Sequence, residues 1–171
     1  MYGSILVVAL SLIAQVSDKP RIKYDKFKDR TFISIDLMKV PGEEGYSNIS
    51  MNTGHAGKNP KKIDEDGWIN VHIYRSGKNW RYLRDHDVAV MCGDDHIPFW
   101  KDKEPSYDHD MDDGDCNESV GMTFSLETMK RFLAKNQDWE IKIGSQDPFS
   151  LGTRQRAKMR SFIKFLEEGR G

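Results

Sequence analysis

"WINVHIYRSG", residues 68–77, decides how this chain folds. Ile69, Val71 and Ile73 point to one side of an extended chain, and Trp68, Asn70, His72 and Tyr74 point to the other. Both sides are well filled, which places the segment in the middle of a sheet or under cover on both faces. The same two-residue period recurs on either side of it. Residues 21–40 read as strand, because in "RTFISIDLMKV" Thr31, Ile33, Ile35 and Leu37 alternate with Phe32, Ser34 and Asp36. "VAVMCGDDHIPF", residues 88–99, reads as a hairpin that turns at Gly93-Asp94-Asp95. "SVGMTF", residues 119–124, reads as the next strand.

Beyond Phe124 the period changes to that of a helix. Ser125 suits an N-cap, Glu127 falls in a first turn where its charge favours the helix dipole, and Leu126, Met129 and Leu133 share a face. Asn136 suits the left-handed residue that closes such a helix. "WEIKI" and "FSL" flank "GSQDP" as a second hairpin. Thr153 then reads as the cap of a last helix, in which Met159, Phe162, Ile163 and Leu166 stand at i, i+3, i+4 and i+7. This order describes an α+β domain, predominantly antiparallel β-sheet and sandwich-like, with a helix, a hairpin and a C-terminal amphipathic helix. Two segments read as irregular, near 41–63 and 101–118. The first holds four glycines, two prolines and three asparagines, with room for a further strand around Tyr46–Met51.

At 171 residues the chain suits one domain with its own core. Its 18 aromatic residues argue against disorder. A net charge of −1 gives no general attraction to nucleic acid, so no nucleic-acid partner is expected. That neutrality conceals an asymmetry: Asp102–Glu118 carries eight acids and one base, and the remainder is mildly basic.

Ile5–Ala14, "ILVVALSLIA", is apolar and is followed by polar "QVSDKP". Ten residues are too few for a membrane-spanning helix, which needs about 20. Their length matches the apolar core of a secretory signal peptide. The reading is therefore a signal peptide over 1–17, a single β-rich domain over 18–171, and export to the periplasm or the medium, with no transmembrane span after processing. In an oxidising compartment Cys92 and Cys116 become candidates for a disulfide, although a meander of 88–92, 96–100 and 119–124 would hold them at opposite ends of the sheet, roughly 16 Å apart against a limit of about 7 Å.

"KNWRYLRDHDVAVMCGDDHIPF" resembles a group of uncharacterised bacterial exported β-rich domains. There a Trp-Arg-aromatic-Leu segment, here Trp80, Arg81, Tyr82 and Leu83, precedes an apolar strand, here Val88–Met91. The likeness continues through residues 118–151 and reaches "YDKFKDRTFISI". It departs at "CGDDH", where that group has an Asp-Gly turn, and at 41–63, which has no counterpart. The resemblance implies a β-rich exported fold and no activity, so it assigns no catalytic residue.

The chemistry on offer is sparse. "DHDMDDGDC" places Asp108, Asp110, Asp112, Asp113 and Asp115 within eight residues, a candidate calcium loop. No cofactor is expected from the sequence beyond a calcium ion at this cluster. An EF-hand frame fails: with Gly114 at position 6, His109 and Val120 occupy the first and last ligand positions, and a start at Asp108 ends on Ser119. Histidine adjoins aspartate at Asp85-His86-Asp87, Asp95-His96 and Asp108-His109-Asp110, the pairing a metal-dependent hydrolase would use, but no HExxH or CxxC spacing occurs. Arg154, Arg156, Lys158, Arg160 and Lys164 crowd the last helix, against its dipole. Trp68, Trp80, Trp100 and Tyr74 would serve either a core or a ligand surface. The expectation that best fits these features is a non-enzymatic exported binding module, with an exposed aromatic patch and a protein or cell-envelope partner. The alternatives are a metal-dependent hydrolase using the Asp/His pairs and an extracytoplasmic calcium-binding domain.

Overall fold

The structure is a computed structural model that describes residues 19–42, 45–58, 67–82 and 87–169. The expected signal peptide over 1–17 lies outside the described residues, as does His86.

Strands β1 (Arg21–Asp25), β2 (Arg30–Gly42), β3 (Gly45–Ala56) and β4 (Trp68–Gly77) form an antiparallel meander. What the sequence presents as one extended stretch over 21–40 is thus two strands. The break is made by Asp25, whose carboxylate accepts from the backbone N–H groups of Phe27 and Lys28 at 2.9 and 3.2 Å and folds the chain back. The chain then leaves this sheet. β5 (Val88–Cys92) and β6 (Asp95–His96) belong to a second sheet, and β7 (Ser106–Asp112) and β8 (Asp115–Ser125) return to the first. Helix α1 (Leu126–Ala134), strands β9 (Trp139–Ile143) and β10 (Phe149–Leu151), and helix α2 (Thr153–Glu168) complete the described chain. The sheets have the orders β1-β2-β3-β4-β8-β7 and β10-β9-β5-β6, and every pairing is antiparallel.

Two expectations of irregular structure are corrected here. Most of 41–63 is β3, which is longer than the strand expected around Tyr46–Met51. Most of 101–118 is the hairpin of β7 and β8. Its turn is Asp113-Gly114, with φ of 48° and 78°, the left-handed pair that a two-residue hairpin needs. The Asp-Gly pair was a hairpin signal in the sequence, masked by the surrounding acids.

The inward face of the large sheet carries Ile33, Ile35 and Leu37 of β2, Ile49 and Met51 of β3, Ile69, Val71 and Ile73 of β4, and Val120, Met122 and Phe124 of β8, all buried. These join Val90, Trp139, Ile141 and Ile143 of the small sheet in one core, with Phe124 edge-on to Trp139 at 6.3 Å. Helix α2 lies against β2 and β10 and buries Met159, Phe162, Ile163 and Leu166 as its spacing requires. Its N-cap is Gly152 rather than Thr153. Helix α1 is capped by Ser125, which accepts from the Thr128 N–H at 3.0 Å, and Asn136 follows it at φ 56°.

The basic residues of α2 acquire a tertiary reason. Arg160 donates to the Leu133 carbonyl at 2.7 Å and Arg156 bridges Asp138 at 2.8 Å, so the start of α2 supplies cations to the C-terminal end of α1. There the orphan carbonyls carry partial negative charge. No helix among the described residues is long and apolar enough to cross a membrane.

Candidate functional site

Alternation leaves the large sheet with a second face, opposite the core. Three rows cross it in register. Asn52 stands beside Asn70 and Asn70 beside Thr123; Ser50, His72, Gly121 and Ser106 form the next row; Asn48, Tyr74, Ser119 and Asp108 form the third. The side chains of the two central columns are half-buried among one another. Burial lowers the His72 pKa from its ordinary value, so the ring is neutral at pH 7. Gly121 keeps the row open, because a Cβ there would come within 2.6 Å of Ser106 Oγ. The Tyr74 hydroxyl donates to Asn117 Oδ1 at 2.8 Å. Charge appears at the margins. Arg21 and Lys23 lie on edge strand β1, with Asp36 and Lys39 beside them on β2 and Arg21 bridging Asp36 at 2.8 Å, while Asp108, Asp110 and Asp112 share a face of edge strand β7.

The five aspartates of the candidate calcium loop are therefore strung out. Neighbours on one face of a strand stand about 7 Å apart, whereas carboxylates around one calcium must all reach within about 2.6 Å of it. Asp113 sits in the turn, and Asp115, across from Asp112, pairs with Lys78. Among the described residues no group of three or more His, Cys, Asp and Glu converges. The exposed charges instead occupy an edge strand, where they discourage pairing with another sheet.

The Asp/His pairs are likewise dispersed. His96 is on β6 of the small sheet, and His109 is on β7 of the large one. His109 stacks on Tyr107 at 5.5 Å and meets the edge of Trp80 at 5.6 Å. The disulfide considered for Cys92 and Cys116 is not formed: both are free and buried, one in each sheet. The Cys92 thiol contacts the Phe132 carbonyl at 3.6 Å and that of Cys116 contacts the Lys78 carbonyl at 3.6 Å. Burial pushes the Cys92 pKa up, away from nucleophilic use. Among the described residues the exposed large apolar side chains are Ile22, Phe27, Tyr46 and Met111, which do not make up a shared aromatic patch. Trp68 and Tyr74 do share the open face, while Trp100 lies under Lys101 and Lys103.

One buried polar cluster has no counterpart among the sequence motifs. Glu118, 1% exposed, accepts from the backbone N–H groups of Arg81 and Tyr82 at 2.8 and 2.7 Å, from the Tyr107 hydroxyl at 3.2 Å and from Arg75 Nη1 at 3.3 Å. Arg75 Nη1 also donates to the Asn79 carbonyl. With four donors, one of them a buried guanidinium, the carboxylate is fully paired, and it pins the Trp80–Tyr82 segment across β4 and β8. Burial together with the Glu118 charge pushes the Tyr107 hydroxyl up to about 12. The signal was positional: Arg75 follows Ile69, Val71 and Ile73 in the inward phase, and Glu118 stands between Cys116 and Val120.

Above this cluster, at the open end of the space between the sheets, lies a cavity of about 280 Å³. Arg75, Arg81, Tyr46, Tyr82, Asp147 and Phe149 contribute to its walls. Burial also raises the Tyr82 pKa. No family model, curated protein or solved structure matches this chain.

Proposed function

We propose that the protein is an exported, non-enzymatic binding module that presents the open face of its six-stranded sheet to a protein or cell-envelope partner. The observation that carries this reading is the distribution of charge on that face. Its three middle strands, β3, β4 and β8, hold amide, hydroxyl, imidazole and phenol groups in these rows, and charges flank them on β1, β2 and β7. Covering an ionised side chain costs far more than covering a neutral one that can be re-paired. Interfaces accordingly deplete charge at the centre and keep it at the rim. Asparagine and serine both donate and accept, so a partner's polar groups find complements wherever they land. The unequal edges, basic at β1 and acidic at β7, would fix the orientation of the bound partner.

The test is a selection of peptides from a random display library on the folded protein. The counter-target is the triple variant Asn52→Lys, Ser50→Lys, Ser119→Glu, which places charges in the centre of the face. Selected peptides are expected to bind the wild type and to lose the variant, provided the variant melts like the wild type. Peptides that bind both proteins equally would show that the face is not the recognition surface.

A further inference from the structure

The cavity between the sheet ends borders the open face at Tyr46, whose ring packs on Tyr74 at 6.0 Å, and its remaining lining is specific enough to name a ligand class. We propose that it binds a small aromatic monocarboxylate. Arg75 is the anchor. Its side chain is 6% exposed, yet only Nη1 is engaged, by Glu118 and Asn79. The other guanidinium nitrogens have no hydrogen-bond partner among the described residues, and Arg75 lines the cavity. None of these nitrogens is sealed away from solvent without a partner, and a carboxylate is the group whose geometry the fork matches. Arg81 brings a second guanidinium from the rim. Its backbone N–H serves Glu118, while its side chain is exposed and lines the same cavity.

The counter-charges limit the ligand. Glu118 sits behind Arg75 and Asp147 stands in the cavity wall, so the two guanidiniums are balanced by two carboxylates. Among the described lining residues the charges balance, which disfavours polyanions such as phosphate esters, whereas one carboxylate placed between the two forks finds charge-assisted hydrogen bonds. Tyr46, Tyr82 and Phe149 supply flat apolar walls that suit a ring. A volume of about 280 Å³ lies at the lower end of ligand pockets, which limits the ligand to a single-ring compound. Lys39 covers the ring of Tyr46 at 4.1 Å, which holds that wall in place.

The test titrates the full chain with 3-phenylpropionate, 2-phenylethylamine and acetate, read by amide chemical shifts. Saturable shifts are expected with 3-phenylpropionate at 45–47, 75, 81–82 and 146–149. Phenylethylamine lacks the carboxylate and acetate lacks the ring, and both should bind at least roughly tenfold more weakly. Arg81→Gln and Tyr46→Ser, both at exposed positions that spare the Glu118 contacts, should each weaken 3-phenylpropionate by roughly tenfold without changing the melting temperature. The proposal is overturned if 3-phenylpropionate produces no saturable shifts, if its shifts centre on the open sheet face, or if Arg81→Gln binds it unchanged. Tyr46 borders both sites, so Arg81→Gln, which lies outside the rows of the sheet face, distinguishes failure of the cavity from failure of the face.

Discussion

Removing the carboxylate of Glu118 should be the most damaging single substitution outside the apolar core. In Glu118→Ala, Arg75 becomes an unpaired charge on a 6% exposed side chain. The N–H groups of Arg81 and Tyr82 and the Tyr107 hydroxyl lose their acceptor at the same time. Breaking a buried pair from one side costs about 3–5 kcal/mol. At about 2–4 °C per kcal/mol for a domain of this size, the melting temperature should fall by roughly 6–20 °C. Glu118→Gln keeps the volume and one acceptor oxygen but turns an amide N–H₂ toward other donors. It should cost about 1.5–3 kcal/mol, the worth of hydrogen bonds to a charged group. Adding Arg75→Met to Glu118→Gln should recover part of that loss, because the stranded charge is gone. The assay is urea unfolding of all four proteins by circular dichroism, with exposed Asp94→Asn as the surface control. A Glu118→Ala cost below about 1 kcal/mol, in the range of ordinary surface changes, would refute the reasoning.

Other outcomes follow from the same geometry. Denatured protein purified without reductant should titrate two thiols, with both reacting slowly before denaturant is added; a mass consistent with an oxidised pair would reverse the cysteine assignment. Because burial lowers the His72 pKa below its ordinary 6.5, the unfolded chain takes up the proton first as pH falls. Stability should be unaffected above pH 6.5 and decline below it, and His72→Gln should flatten that decline; imidazole signals that titrate at or above 6.5 would contradict this. Arg160→Ala should cost about 1–2 kcal/mol in urea unfolding by uncapping the Leu133 carbonyl, whereas exposed Arg154→Ala should cost less than about 0.5. Millimolar calcium should leave the melting temperature unchanged, because strand geometry separates Asp108, Asp110 and Asp112; a rise would show that the edge rearranges around the ion.

The legible part of the candidate surface was its alternation, and the illegible part was its partners. Period-two patterning assigned His72 and Tyr74 to the face opposite Ile69, Val71 and Ile73, as the sheet has them. The acids of 108–115 obscured the Asp113-Gly114 turn, so a hairpin with an exposed edge was read as a loop. Glu118 escaped because the strand was begun at Ser119, one residue too late for its inward position to show.

The sequence by itself determined the antiparallel α+β class, the inward residues of β2, β4 and β9, and the amphipathic stripe of α2, because side-chain periodicity is a local property of the backbone. Tertiary structure alone decided that β5 and β6 leave for a second sheet, that β8 rather than β5 pairs with β4, and that Cys92 and Cys116 part company. It also decided that Arg75 meets Glu118 across 43 positions of sequence and that Arg156 and Arg160 serve another helix. These outcomes rest on long-range pairing, which periodicity does not encode: each strand declares which face is apolar, and packing of all the faces into one core selects its neighbours.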